Sequence, residues 1–428
     1  MVEISQYNRG QNASYRPPAS VQTRGSVSDF EKMNRNLIKY IFYGLALLFL
    51  FHFETLSIGP IKISHLWKGI ALLYLLFDII KRKQKVFIYK PLIWIAIMQL
   101  INIELTTNPF NAFVIFSTTL ILPVIGIYVL KFNHSQLKKA IIFFASFFIL
   151  SFVPYQLGLI KSLEEGYNLS AYGGTTGLIG PFQNPHGAAI SLASALLVVL
   201  FYWFKGSINK LYLTTLFLLG SYFLLSTYVR TGLAMFTIGS IPTLLYFAKN
   251  RARRFSQLAI FAFFMAMLVS NWVVNNEILM NRITGRSKYG SEKTLENIGS
   301  NRGRIYIASL EIFAEANIIE KIFGLGETEQ INRIEDKINM AIGSHNGFLD
   351  ILLRNGLIGF FLLIIYFIRI HKLRKIVHQE EKILIKSLYW ALLTMTFVQG
   401  FNWINFNIIL MLTISLSIKP IKAVQNNN

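Results

Sequence analysis

The chain has 428 residues, 53% of them hydrophobic and 14% aromatic, and its apolar residues run in long blocks rather than amphipathic pieces; this excludes an ordinary soluble domain. Its net charge of +21 sits in short loops flanking those blocks rather than on one face, so anionic lipid headgroups, and no nucleic acid, are the expected partner. With no cysteine, disulfides, thiolate nucleophiles and thiolate-held metals are excluded.

Residues 1–36, with Pro17-Pro18 and scattered Ser, Asn and Gly, read as a disordered cytoplasmic tail. The first apolar run begins only after this tail, so it is not read as a cleavable signal. About 20 apolar residues span the hydrocarbon core as a helix. The runs that qualify or nearly so are Leu37–Phe53, Leu66–Ile80, Phe87–Ile103, Phe110–Leu130, Ala140–Leu157, Gly187–Phe204, Leu211–Val229, Thr231–Ala248 and Leu258–Val274. After a polar stretch come Gly347–Ile370, Ser387–Asn402 and Phe406–Ile418. The expected fold is therefore an all-α polytopic integral membrane protein of about twelve transmembrane helices. Nine lie within residues 37–274 and three within 347–418, with a large extracytoplasmic loop, 275–346, between helices 9 and 10; residues 419–428 form a second cytoplasmic tail.

Orientation follows from the short loops. Lys81-Arg82-Lys83, Lys138-Lys139, Lys249 to Arg254 and Lys372 to Lys375 fall on one side, as do the cations of both tails; by the positive-inside rule that side, and with it both termini, is cytoplasmic. Gly158–His186 and Asn275–His345 then face the other way. In the larger loop, Ser300-Asn301 reads as a helix N-cap before Arg302–Leu310, whose apolar spacing is helical, and Gly324-Leu325-Gly326 breaks that helix.

Four places carry possible chemistry. Arg230 stands between two apolar runs with room only for a tight turn; an arginine there either snorkels or pairs with an anion, in the protein or in a ligand. Arg302 and Arg304 lie on the same side, and guanidinium forks fit phosphate oxygens in a way lysine cannot copy, though two arginines in a polar loop are also ordinary solvated surface. His345 opens the tenth helix, and its side chain titrates near neutral pH; it is either part of a helix cap, with Ser344 or Asn346, or a proton-transfer group. Asp350 could orient that imidazole, neutralise an arginine, or pair with Arg354 at i,i+4. His52, His65 and His186 show no metal-ligand spacing, and no metal or other cofactor is expected.

Several of these motifs, taken in order, resemble the O-antigen ligase and polymerase superfamily, membrane proteins that join glycans carried on a polyprenyl pyrophosphate to an acceptor. Gly180-Pro181-Phe182-Gln183-Asn184-Pro185-His186 resembles its Phe-x-Asn-Pro-Asn stretch, and Tyr228-Val229-Arg230-Thr231-Gly232 its Ser-Arg-Gly segment. Ser300-Asn301-Arg302 with Tyr306 is similar to its arginine four residues before a tryptophan. Ser344-His345-Asn346-Gly347-Phe348-Leu349, followed by Asn355-Gly356-Leu357-Ile358-Gly359, resembles its His-Asn-x-x-Leu and Gly-Leu-x-Gly. The resemblance runs from about Gly180 to Phe361; Tyr306 stands in place of the tryptophan and Arg354 where an acidic residue is common.

The resemblance implies a metal-independent membrane glycosyltransferase on the outer face of the cytoplasmic membrane. His345 is then the general base, Arg230 and Arg302 the catalytic cations, and Arg304, Asn346, Asp350 and Asn184 substrate-binding residues. The partners implied are a polyprenyl-pyrophosphate-linked glycan, an acceptor glycan, the bilayer and a chain-length regulator. Polymerisation of repeat units into a surface polysaccharide is the favoured activity, on the greater number and diversity of polymerases rather than on any residue. Ligation of glycan to lipid A core or protein is the first alternative. A lipid-linked glycan flippase is the second, which the concentration of polar residues on one face argues against.

Overall fold

The computed structural model describes residues 57–58, 61–82, 88–102, 104–160, 177–182, 184–250, 256, 298–373 and 380–418. The expected first and ninth spans, both tails and loop residues 275–297 lie outside the described residues. The described chain is helical apart from a minimal hairpin, β1 (Ser57–Ile58) and β2 (Ile61–Lys62), with Ser57 opposite Lys62.

Helix α1 (Ile63–Arg82) follows the hairpin. Where one span was expected over Phe87–Ile103, α2 (Lys90–Met98) lasts nine residues and is followed by a turn and the single-turn α3 (Glu104–Thr107). The break has a tertiary cause: Gln99 Nε2 donates to Asn355 Oδ1 at 2.8 Å and Asn102 Nδ2 to the Arg354 carbonyl at 3.1 Å. Buried amides of this kind keep their place in an apolar interior only when they are hydrogen-bonded.

Helix α4 (Pro109–Val129) starts where Asn108 caps it through the Asn111 amide, with Pro109 at the first helical position, an arrangement that wastes no donor. Helix α5 (His134–Leu150) opens on a reciprocal Asn133–Gln136 capping box and leads into the one-turn α6 (Val153–Gln156). Helix α7 (Pro185–Lys205) begins at Asn184, whose side chain accepts from the Gly187 amide at 2.8 Å, and ends at Gly206, held at φ 69°. Helices α8 (Lys210–Ser226) and α9 (Arg230–Asn250) complete the first half.

Helix α7 is the centre of the bundle, with 94% of its apolar stretch buried inside the protein. Small residues bring its neighbours close: Gly220 of α8 packs on Leu196, Gly232 of α9 on Ala189, and Gly239 on Leu197, the usual way membrane helices gain dispersion contact.

The loop folds into α10 (Ile298–Glu315), α11 (Ile318–Phe323) and α12 (Glu327–Ile338). Because α10 already begins at Ile298, Ser300 and Asn301 lie in its first turn rather than capping it. The last helices are α13 (Gly347–Leu373), α14 (Glu381–Val398) and α15 (Ile404–Ile418). By length and composition α4, α5 with α6, α7, α9 and α13 can cross a membrane, and the chain is an integral membrane protein. The large apolar side chains left exposed, such as Leu73, Phe77, Phe113, Leu245 and Phe361, are what a bilayer solvent accommodates.

One carboxylate fastens the loop to the membrane helices. Glu104, fully buried, accepts from the Thr328 amide at 2.8 Å, the Thr328 hydroxyl at 2.6 Å and Asn111 Nδ2 at 2.8 Å, so it caps the start of α12. Replacing Glu104 with alanine strands these buried donors and is expected to weaken loop docking by about 1–3 kcal/mol. A lower Tm and faster proteolysis of the 298–346 region, relative to Glu104→Gln, would register the loss; wild-type values for Glu104→Ala would contradict the capping role.

Candidate functional site

The loop helices share a core with the membrane helix that follows them. Ile305, Ala308 and Ile312 of α10, Leu325, and Ile334 and Ile338 of α12 close around Leu353 of α13, so burial of apolar surface holds loop and helix as one body. Arg333 bridges Glu320 at 2.7 Å and Glu329 at 2.7 Å across the same small domain.

Helix α13 is not continuous, as its unbroken apolar sequence led one to expect. Gly356 sits at φ 64°, ψ −166°, a backbone region that essentially only glycine occupies. The break frees carbonyls, and the 324–326 segment of the loop takes them: the Leu325 amide donates to Leu353 O at 2.8 Å and the Gly326 amide to Arg354 O at 3.1 Å. Only glycine fits this seam, since a Cβ on Gly324 would run into the Arg354 carbonyl and one on Gly356 into that of Ile322. The two glycine motifs thus make one joint.

Immediately before α13 the chain turns through His345, which takes a left-handed conformation at φ 51°, uncommon outside glycine. The turn is held on both sides. Asn346 caps α13, its Oδ1 accepting from the Phe348 and Leu349 amides at 3.0 and 3.3 Å. Asp350 Oδ1 accepts from the Ser344 amide at 3.0 Å, the Ser344 hydroxyl at 2.7 Å and Gln330 Nε2 at 2.8 Å. Asp350 therefore braces the turn and does not pair with Arg354, which binds Glu327 at 2.8 Å. Tyr306 reaches the His345 carbonyl with its hydroxyl at 3.4 Å.

Arg302, in the first turns of α10, donates to the Val398 carbonyl at 2.8 Å and to Gln399 Oε1 at 3.2 Å, which places its guanidinium against the end of α14. His345 is half-buried. Burial pushes its imidazole below the usual histidine range, the Arg302 charge pushes the same way, and Asp350 opposes them. The ring is thereby kept neutral at neutral pH and able to accept a proton. Arg304 is exposed and, two residues on, points about 200° round α10 from Arg302.

Arg230 begins α9 after a tight turn in which Tyr228 takes φ 54°; the Leu178 amide ties this turn down by donating to Ser226 O at 2.8 Å. Thr243 and Ser387 meet hydroxyl to hydroxyl at 2.8 Å, and Gly239 packs on Ser387 and Ala391, so α9 and α14 run antiparallel. Carried to the start of α9, that register sets Arg230 level with the 398–400 end of α14. At the start of α7, Gly187 packs on the Trp403 indole, and at the start of α13, Gly347 packs on Gly400. The far end of the bundle is marked instead by Lys205 and Glu381, paired at 2.8 Å.

One end of the protein therefore collects the hydrogen-bonded turn of His345, Asn346 and Asp350 and, close enough for its charge to act on His345, Arg302 against the end of α14, with Arg230 and Asn184 on neighbouring helices; Arg304 is turned away. Helices α7, α9, α10, α13 and α15 begin here. Their N-terminal amides add partial positive charge to the arginines, a field suited to an anion.

Beside this network lies a cleft of about 180 Å³ lined by Glu327, Asp350, Arg354, Gln399, Asn402 and Trp403, among others. The 399–403 turn was not expected to contribute, because Ser387–Asn402 reads as one span. Its Gly400-Phe401-Asn402-Trp403 sequence is the signal that could have exposed it: a polar break on the His345 side of two apolar runs. Among the described residues no group of three His, Asp or Glu is placed to hold a metal ion.

The family model described as O-antigen ligase (Wzy_C) matches residues 215–364. That stretch contains Arg230, Arg302, Arg304, His345, Asn346, Asp350 and the Gly324–Gly356 joint; Asn184 and the 399–403 turn lie outside it. Comparison with curated proteins finds no match.

Proposed function

We propose that this chain, whose residues 215–364 match the O-antigen ligase family model, polymerises polyprenyl-pyrophosphate-linked oligosaccharide repeat units into a surface polysaccharide on the outer face of the cytoplasmic membrane. What supports the reading is the half-buried His345, its turn braced by Asp350 and its imidazole held below the usual histidine range by burial and the Arg302 charge, at an end of the bundle where several helices start. An acceptor sugar hydroxyl attacks the anomeric carbon of the donor glycan. Its proton passes to the His345 imidazole. The bond from that carbon to the pyrophosphate oxygen breaks, and the lipid pyrophosphate leaves with the electron pair. Arg230 and Arg302 stabilise the charge that grows on it.

Asn346 and Asp350 act in this scheme chiefly by fixing the His345 turn, and Asn184 by starting α7. The same chemistry serves a ligase that moves finished glycan to lipid A core or protein. Deleting the gene separates the two: single repeat units on acceptor mark a lost polymerase, and unattached polymer on its carrier marks a lost ligase.

The arginines give a sharper test. Arg302→Lys keeps a charge but loses the fork that holds Val398 O and Gln399 Oε1 and that would orient the guanidinium for a phosphate oxygen, so turnover is expected to fall roughly 10²-fold or more, the cost of losing one oriented donor to developing charge. Arg230→Ala is expected to abolish joining with membrane insertion intact. Unchanged turnover in purified Arg302→Lys would count against a pyrophosphate clamp.

A further inference from the structure

We infer that the cleft between Glu327, Arg354 and the 399–403 turn seats a single sugar ring of the glycan being joined; this rests on the proposed function and names where that substrate is read. Its volume of about 180 Å³ is below the roughly 300–1,000 Å³ of sites that enclose a drug-sized ligand, so it holds one ring and leaves the rest of the chain outside.

The lining chemistry fits hydroxyls rather than phosphate. Arg354 is paired with Glu327 at 2.8 Å, and Asp350 adds a carboxylate, so the cleft offers no surplus cation to an anion. What it offers is a mixture of donors and acceptors. Gln399 gives its Oε1 to Arg302, while its Nε2 makes no hydrogen bond among the described residues and can donate. Asp350 has Oδ1 fully engaged and Oδ2 left to accept. Asn402 is exposed and can do both. Trp403, half-buried and backed by Gly187, supplies the aromatic body against which the apolar face of a pyranose rests.

The placement links this cleft to the reacting groups twice. Gln399 touches Arg302 and lines the cleft; Asp350 braces the turn of His345 and lines the cleft. A ring held here is therefore one side chain away from both the proposed base and the proposed pyrophosphate clamp. Gly400 also lines the cleft, and a Cβ there would meet only Asn402 Oδ1, at 3.7 Å. A larger residue at this position grows into the cleft without disturbing the backbone around it.

The test uses full-length protein in detergent with the host's own lipid-linked repeat unit. Trp403→Ala and Gly400→Val are expected to raise KM about tenfold or more with kcat within about twofold, the signature of lost ground-state binding, and Trp403→Phe to recover most of the loss. The cysteine-free chain also allows Asn402→Cys: repeat-unit oligosaccharide freed of lipid should slow its labelling by a maleimide. Unchanged KM in both Trp403→Ala and Gly400→Val, or a fall in kcat alone, overturns the cleft while wild-type turnover leaves the proposed function standing. Saccharide protection of Asn402→Cys in a protein that joins no lipid-linked glycan supports the cleft and removes the glycosyl transfer.

Discussion

Substituting glycine for His345 is expected to lower the rate of glycan joining by about 10²–10⁴-fold, the contribution of a positioned general base, while leaving Tm and membrane insertion close to wild type. Glycine is the informative choice because His345 already sits at φ 51°, a conformation glycine adopts without the steric strain that alanine would carry. Full activity in purified His345→Gly would remove the base from the mechanism. The pH profile makes the same assignment by a second route. Burial and Arg302 hold the imidazole below its ordinary value of about 6.5, so the acid limb of kcat/KM should fall below that pH. Arg302→Gln removes a charge that lowers the value, and the limb of its residual activity should move up; Asp350→Asn removes one that raises it, and the limb should move down. A limb that stays fixed in both variants would mean another group titrates.

Gly356→Ala is expected to be the most damaging single change outside the reacting groups. At φ 64°, ψ −166° the backbone penalty alone is of order 1–3 kcal/mol, and the added Cβ would strike the Ile322 carbonyl and lie 2.7 Å from the Gly324 nitrogen, pushing the loop off α13. Protein level in membranes and Tm should both fall, with the loop newly open to protease. Gly69→Ala in α1, where nothing lies within 4 Å, is the matched control and should behave as wild type. Equal Tm for the two variants would show that the joint tolerates movement.

The sequence was most readable where causes are local. The apolar runs Phe110–Leu130 and Gly187–Phe204 form α4 and α7, and the Asn108 and Asn184 caps that start these helices, which hydropathy does not see, are equally short-range. Long-range causes were hidden. The end of α2 depends on Asn355 and Arg354, more than 250 residues later, and the break in α13 interrupts a run that hydropathy reads as unbroken. Arg354 offered two acidic partners; Asp350 at i,i+4 was visible in the sequence, whereas Glu327 becomes a neighbour only because the Gly324–Gly326 segment brings the start of α12 to α13. At the site, His345 and the arginines stood out by residue type and order. The 399–403 turn did not, since Phe401 and Trp403 extend an apolar pattern and only the fold brings them to the cleft that Asp350 also lines.

The strap of loop backbone across the break in α13 also makes two distant parts of the chain depend on each other. The break leaves the Leu353 and Arg354 carbonyls without helical partners, and buried carbonyls left unpaired are costly, so this stretch of α13 is satisfied only while Leu325 and Gly326 lie against it. The position of those two residues depends in turn on the folded α10–α12 cluster around Leu353. The stability of this helix is therefore tied to that of the α10–α12 cluster, and a substitution that loosens either should lower both.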